Sequence, residues 1–187
     1  MFYGTKFWFK ILYFITAMSP AYMLYSLYFY SQNENIPFIS KEYKFLILIF
    51  LLLLLLILLA YILKGILIKT TKNNENPYSL RINIKDQNGN SLIFLLSVII
   101  PSVIYIDESP TINIIIFLLI QYLLFVLMNN STALFPNVLL IIIGIHTFRL
   151  DEGRYIISNQ LTHKSKDKIS ATSIGDNSST LCYVKGD

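Results

Sequence analysis

The sequence predicts an α-helical integral membrane protein with four transmembrane helices and a small cytoplasmic β-sheet. Of its 187 residues, 55% are hydrophobic and 14% are charged, whereas soluble domains are about 45–50% apolar and about 25% charged. Residues 45–63 contain no charged residue at all. A helix that is apolar on every side leaves no face for water, so this composition argues against a soluble enzyme.

Four stretches reach or approach the length of about 20 apolar residues that a spanning helix requires. The first helix is predicted within residues 1–30, where residues 7–30 are apolar except for Lys10, and it is interpreted as a retained signal anchor. The second is predicted at residues 45–68. The third and fourth form a hairpin over residues 91–128, because Asp107-Glu108-Ser109-Pro110 makes a tight turn between them.

The distribution of cations predicts the orientation of these helices. If both termini are cytoplasmic, 13 of the 15 Lys and Arg residues lie on the cytoplasmic side, in the N-terminal segment, the second loop and the tail. The opposite orientation would place the same residues outside, against the positive-inside rule. We therefore expect a multi-pass protein in direct contact with the lipid bilayer, with both termini in the cytoplasm; the resemblance described below implies the inner (plasma) membrane of a bacterium.

Several shorter segments are predicted to face the cytoplasm. Residues 69–90 form a linker and a strand, because Leu80–Lys85 alternates apolar and polar residues. Residues 133–158 form a membrane-proximal element and a β-hairpin, in which Ile145–Leu150 and Arg154–Ser158 flank a turn ending in Gly153. We expect the strand and the hairpin to share one sheet. Residues 159–187 form a mostly flexible tail, in which Leu181–Val184 has the composition of one more short strand.

The residues that carry chemistry in enzymes are scarce in this chain. The sequence has no glycine-rich phosphate loop, no paired-His helix and no nucleophile with a plausible His partner. The two histidines cannot form a metal site alone, and Cys182 cannot form an intrachain disulfide. We expect no enzymatic activity, no cofactor and no metal.

Four residues inside the predicted spans have backbone or side-chain groups that lipid cannot satisfy: Pro20, Ser97, Pro101 and Gln121. They could line a polar pore or a hinge. They could instead join neighbouring helices through hydrogen bonds, including helices of other subunits in a homo-oligomer, and we favour this structural interpretation. No charge lies deep within a span, which argues against a proton-coupled transporter.

The order of these parts resembles the KwaA family, the membrane subunits of the Kiwa bacterial anti-phage system. The likeness extends over about residues 7–160 and rests on a third span ending Val98-Ile99-Ile100-Pro101, then Pro136-Asn137-Val138-Leu139-Leu140, Gly144 and Arg154–Ser158. The resemblance implies an oligomeric inner-membrane sensor that detects phage attack and signals to a cytoplasmic DNA-binding partner, KwaB. It implies no direct contact with nucleic acid by this chain.

For docking of such a partner we predict four cations of the cytoplasmic sheet: Arg81, Lys85, Arg149 and Arg154. The same cations could instead only enforce topology or contact anionic lipid. Two other classes of protein fit the same layout, a bacteriocin-immunity membrane protein and an accessory subunit of a small channel or transporter.

Overall fold

A computed structural model describes most of the helices and all five strands of a sheet. The described residues are 2–32, 42–73, 78–80, 109–130, 136–149, 154–158, 169–175 and 179–184. The predicted third helix at residues 91–106 lies outside this part of the chain, as do Arg81, Lys85, Ser97 and Pro101.

The first predicted span consists of two helices that meet at a bend, rather than of one continuous helix. α1 (Phe7–Ala17) and α2 (Ser19–Gln32) meet at Met18 with a bend of 50°. Pro20 has no N–H with which to bond the carbonyl of Thr16, so an unbroken helix cannot pass this point. The Thr16 hydroxyl also donates to the carbonyl of Leu12 at 2.8 Å and to that of Tyr13 at 3.0 Å, a contact that often bends helices.

Two further helices are long and apolar enough to cross a membrane. α3 comprises Glu42–Asn73 and α4 comprises Pro110–Asn130, and their apolar stretches are Leu46–Lys69 and Pro110–Asn130. The bent pair α1–α2 would make a third span if it crosses as one unit. Two or three candidate spans therefore lie within the described residues, and the third predicted helix, at residues 91–106, is outside them.

After α4 the chain forms a short helix and then a hairpin. α5 is only Val138–Ile142. Two residues after its end the chain turns at Gly144, whose φ of +77° suits a glycine better than any other residue. The hairpin then pairs β2 (His146–Arg149) with β3 (Tyr155–Ser158) in antiparallel register. It agrees with the hairpin that the sequence predicts.

The sequence predicts a mostly flexible tail with one short strand at Leu181–Val184, but the tail supplies two strands. β4 (Ile169–Ser173) and β5 (Leu181–Val184) pair with each other, and β5 also pairs in parallel with β3. β1 (Tyr78–Leu80) pairs with β4. The mixed sheet has the order β1-β4-β5-β3-β2, so the strand before Arg81 and the hairpin share a sheet but lie at its opposite edges.

One hydrophobic core joins the helices to the sheet. On α3 it includes Leu63 and Leu67, which continue a buried stripe that begins at Leu56 and Ala60, the spacing of one helical face. Much of the rest of α3 is exposed apolar surface, as expected of a helix in lipid. The core combines these buried side chains: Phe2, Phe9, Tyr13, Phe14, Ala17, Met18, Ala21, Leu63, Leu67, Met128, Leu140, Ile145, Tyr155, Ile157, Ile174, Leu181 and Tyr183.

The N-terminal arm, Phe2–Thr5, packs against the turn between β4 and β5. Phe2 is buried against the ring of Tyr13, and Thr180 donates its backbone N–H to the carbonyl of Tyr3 at 3.3 Å. Gly175 lies directly on the arm: a Cβ there would overlap the carbonyl oxygen of Gly4 and lie 2.9 Å from Cα of Thr5. The arm and the tail strands are therefore on the same side of the helices.

This close backbone contact predicts the effect of a single methyl group. Gly175→Ala should lower the melting temperature of the purified chain in mild detergent by several degrees, because alanine is strained at a φ of +112° and its Cβ would push the arm away. Gly65→Ala is the matched control: it lies in α3 with nothing within 4 Å, and alanine is the better helix former. Equal melting temperatures of the two variants would contradict this packing.

Candidate functional site

The helix–sheet junction, defined here as Tyr13, Thr16, Asn137 and Thr147, is the most polar buried point in the described core. Asn137 is 1% exposed and sits at the N-cap of α5 in an extended conformation. Its Oδ1 accepts the backbone N–H of Leu140 at 3.1 Å. Its Nδ2 donates to the carbonyl of Tyr13 at 3.1 Å and to Oγ1 of Thr16 at 2.7 Å. A single amide therefore caps α5 and binds it to the last turns of α1.

Tyr13 extends the junction to the sheet. Its side chain is fully buried, its ring meets that of Phe2 edge to face at 5.0 Å between centroids, and its hydroxyl is hydrogen-bonded to the side chain of Thr147 on β2. Asn137 and Thr147 lie on either side of the tight turn at Gly144. A displacement of α1 would therefore move α5 and β2 together.

The strand register carries this contact to the middle of the sheet. Thr147 pairs with Ile157 on β3, Ile157 pairs with Tyr183 on β5, and Tyr183 pairs with Thr172 on β4. Neighbouring residues in one row of a sheet share a face, and Ile157 and Tyr183 both belong to the core. This row is the surface on which the helices rest.

Aromatic ring contacts join α4 to the helices on both sides of the bend, α1 and α2. Phe117 stacks on Tyr25 of α2, with 4.0 Å between ring centroids and planes 15° apart. Eight residues later, Phe125 meets Phe14 of α1 edge to face at 5.4 Å. Because one straight helix contacts both members of the bent pair, a change in the bend angle would have to shift α4 or break one of these ring contacts.

The polar residues that the sequence singles out inside the spans are dispersed. Pro20 lies in the first turn of α2, next to the bend. Gln121 is 6% exposed on the buried face of α4, and neither atom of its amide has a hydrogen-bond partner among the described residues. On the same face, Asn113 donates to the carbonyl of Ser109 at 3.0 Å.

Of the four predicted docking cations, Arg149 and Arg154 lie within the described residues, at one corner of the sheet. Arg149 ends β2 opposite Tyr155, and Arg154 immediately precedes that residue. β1 ends at Leu80, the residue before Arg81. It lies at the edge of the sheet opposite β2, and it runs toward the end of the sheet that is distant from Arg149. Standard strand spacings put Leu80 about 19 Å across the sheet and about 16 Å along it from Arg149. Arg149 and Arg154 share one corner, which we call the arginine corner.

The described residues offer no metal centre and no activated nucleophile. No group of three or more His, Cys, Asp or Glu side chains gathers among them. Cys182 is buried in β5, and burial raises the pKa of its thiol, while the charge of Arg154 lowers it by less. A raised pKa keeps the sulfur protonated, and the protonated thiol is the unreactive form.

A comparison with known protein families finds a match to nearly the whole chain. A family model described as "Anti-phage protein KwaA" matches residues 9–179. The chain belongs to the KwaA family. No curated protein and no solved structure matches it. The match includes α1 from Phe9 onward and both strands of the hairpin, and it ends at Ser179, just before β5.

Sequence reasoning missed the junction of this KwaA protein, although one of its residues carried a signal. Asn137 precedes a short apolar run, which is the pattern of an N-cap, but in the sequence it only interrupts the apolar segment 133–145. Tyr13 and Thr147 carry no local signal, because their hydrogen bond joins residues more than 130 positions apart.

The three hydrogen bonds of Asn137 predict a ranking of substitutions. Asn137→Ala should destabilise the KwaA chain by about 2–4 kcal/mol, since it removes a helix cap and two buried hydrogen bonds. Asn137→Ser should cost less, because serine can still cap α5. Asn137→Asp should cost more than Asn137→Ser, because a carboxylate would face the oxygens of Tyr13 and Thr16. Thermal unfolding in detergent measures the order, and an aspartate variant as stable as wild type would contradict the assigned amide orientation.

Proposed function

We propose that this KwaA protein is a non-enzymatic component of a bacterial anti-phage defence system that senses attack at the inner membrane and signals to a cytoplasmic DNA-binding partner. Membership of the KwaA family supports the defence role. The continuous core that joins apolar helices to a water-facing sheet supports the signalling role. The chain itself supplies no catalytic step and does not bind nucleic acid; it acts in a homo-oligomer with both termini in the cytoplasm.

The bend between α1 and α2 is the element that responds in this proposal. A local change in the bilayer alters the lateral force on the exposed faces of the helices, and the bend at Met18 is the point at which the helical pair can yield. α1 is bonded to α5 through Asn137 and to β2 through Thr147. A change of bend angle would thus reach the sheet through two buried contacts on one helix.

The arginine corner is the docking surface for a KwaB-like partner. Arg149 and Arg154 lie at one end of the hairpin. β5 pairs with β3 of this hairpin, and its residues Leu181 and Tyr183 belong to the core. A partner with an acidic surface at this corner would detect a shift of β2 and β3. Arg81 and Lys85 follow β1 and lie outside the described residues, so the proposed docking surface consists of Arg149 and Arg154.

A single substitution can remove the hydrogen bond between Tyr13 of α1 and Thr147 of β2 with almost no change in side-chain shape. Thr147→Val deletes the hydroxyl that bonds Tyr13, and it should reduce protection against phage at least tenfold in plating assays while the protein remains in the membrane at the wild-type level. Thr172→Val is the matched control, because its hydroxyl donates only within the sheet, to the carbonyl of Tyr183 at 3.2 Å. Full protection by Thr147→Val would refute transmission through this bond.

The docking surface is tested by a comparison of the two pairs of cations. In cells that co-express a KwaB-like partner, the double variant Arg149→Gln and Arg154→Gln should copurify at least fivefold less partner in mild detergent. The double variant Arg81→Gln and Lys85→Gln removes the same charge from the segment that follows β1 and should retain the partner. If the second variant alone loses it, the docking surface is the segment that follows β1; if wild type captures none, signalling by direct contact is refuted.

A further inference from the structure

The beginning of α1 exposes an unusual set of side chains. Tyr3, Phe7 and Trp8 are 73%, 61% and 74% exposed, although large aromatic side chains gain most from burial. Trp8 is the single tryptophan of the chain. Tyrosine and tryptophan are enriched at the membrane–water interface, where their rings can meet acyl chains while their polar atoms stay hydrated.

The charge of this surface has one sign. Lys6 is exposed and Lys10 is half-buried, and residues 2–32 contain no acidic residue. Lysine side chains next to exposed apolar rings can extend along them and place the ammonium group among lipid headgroups. The surface therefore complements an anionic membrane in both its apolar and its charged parts.

The other face of the same helix is bound to protein. Phe9, Tyr13 and Phe14 are buried in the core, and α1 is linked to α5 and β2 at the junction. With only 11 residues, α1 extends about 16 Å, which is about half of the hydrocarbon thickness. A short helix with protein on one side and aromatic and basic residues on the other is typical of an interfacial element.

We propose that the exposed side of the N-terminal arm and of α1 is a binding surface for anionic phospholipid headgroups, on which Tyr3, Lys6, Phe7 and Trp8 are exposed and the half-buried Lys10 lies at the edge. The lysines attract the phosphate groups and the aromatic rings enter the boundary between headgroups and acyl chains. Each lysine near an anionic membrane surface strengthens the attraction to that surface about fivefold. This site stands independently of any defence partner, because it needs only the chain and the bilayer.

The single tryptophan allows a direct test with the full-length chain. The protein is reconstituted in vesicles of phosphatidylglycerol and phosphatidylcholine in equal amounts, with bromine on the acyl chains of only one of the two lipids. We expect brominated phosphatidylglycerol to quench Trp8 fluorescence several-fold more strongly than brominated phosphatidylcholine. The preference should fall steeply in 1 M salt, because salt screens charges over about 3 Å.

Two double variants separate a specific site from general charge. Lys6→Gln with Lys10→Gln should abolish the lipid preference while the quenching by both lipids persists. Lys64→Gln with Lys69→Gln removes the same charge from the end of α3 and should retain the lipid preference. Equal quenching by the two lipids in the wild type, or equal loss in both variants, would overturn the proposal. Absence of quenching by either lipid would also overturn it, since Trp8 would then be covered by protein, such as a second copy of the chain.

Discussion

The hydrogen bonds of one buried amide govern how the helices of this protein meet its sheet. Buried polar groups must find partners within the fold, because a missing hydrogen bond costs about 1–3 kcal/mol. Asn137 finds all of its described partners on α1 and α5, so these helices can meet in few ways. Gly144 then turns the chain immediately into β2, and the position of the hairpin follows from that of the helices.

Around this junction, apolar contacts connect the helices, the N-terminal arm and the tail, so a movement of one would displace the others. α4 touches both halves of the bent pair through ring contacts, and the N-terminal arm closes over the tail at Gly175. Interiors packed in this way transmit strain rather than absorb it. A KwaA protein with this architecture has the mechanical continuity that a membrane sensor requires, and the proposed lipid contact of α1 would lie at its beginning, on the helix that reaches both α5 and β2.

The same physical features explain why the chemistry of the described residues is so sparse. The buried side chains of Thr16, Asn113 and Asn137 make structural hydrogen bonds, and the buried thiol of Cys182 has a raised pKa and is held in the protonated form. What the fold offers instead is surface, namely apolar helix faces that suit lipid and the arginine corner that we propose as a docking surface. Membership of an anti-phage family agrees with a protein that acts through contacts.

The sequence by itself determined the class of the protein, because a run such as residues 45–63 is compatible with lipid on all sides and with little else. It also determined the hairpin, since two apolar runs around a turn ending in Gly153 are a local pattern. The bend at Met18 also has a local cause, in Pro20 and Thr16, but only the tertiary structure decided the place of β5 between β3 and β4 and the separation of Arg149 from the strand that leads to Arg81. These features depend on pairings between distant segments, such as Tyr13 with Thr147 or Ile157 with Tyr183. Composition and periodicity report only on neighbours along the chain, so they could not reveal them.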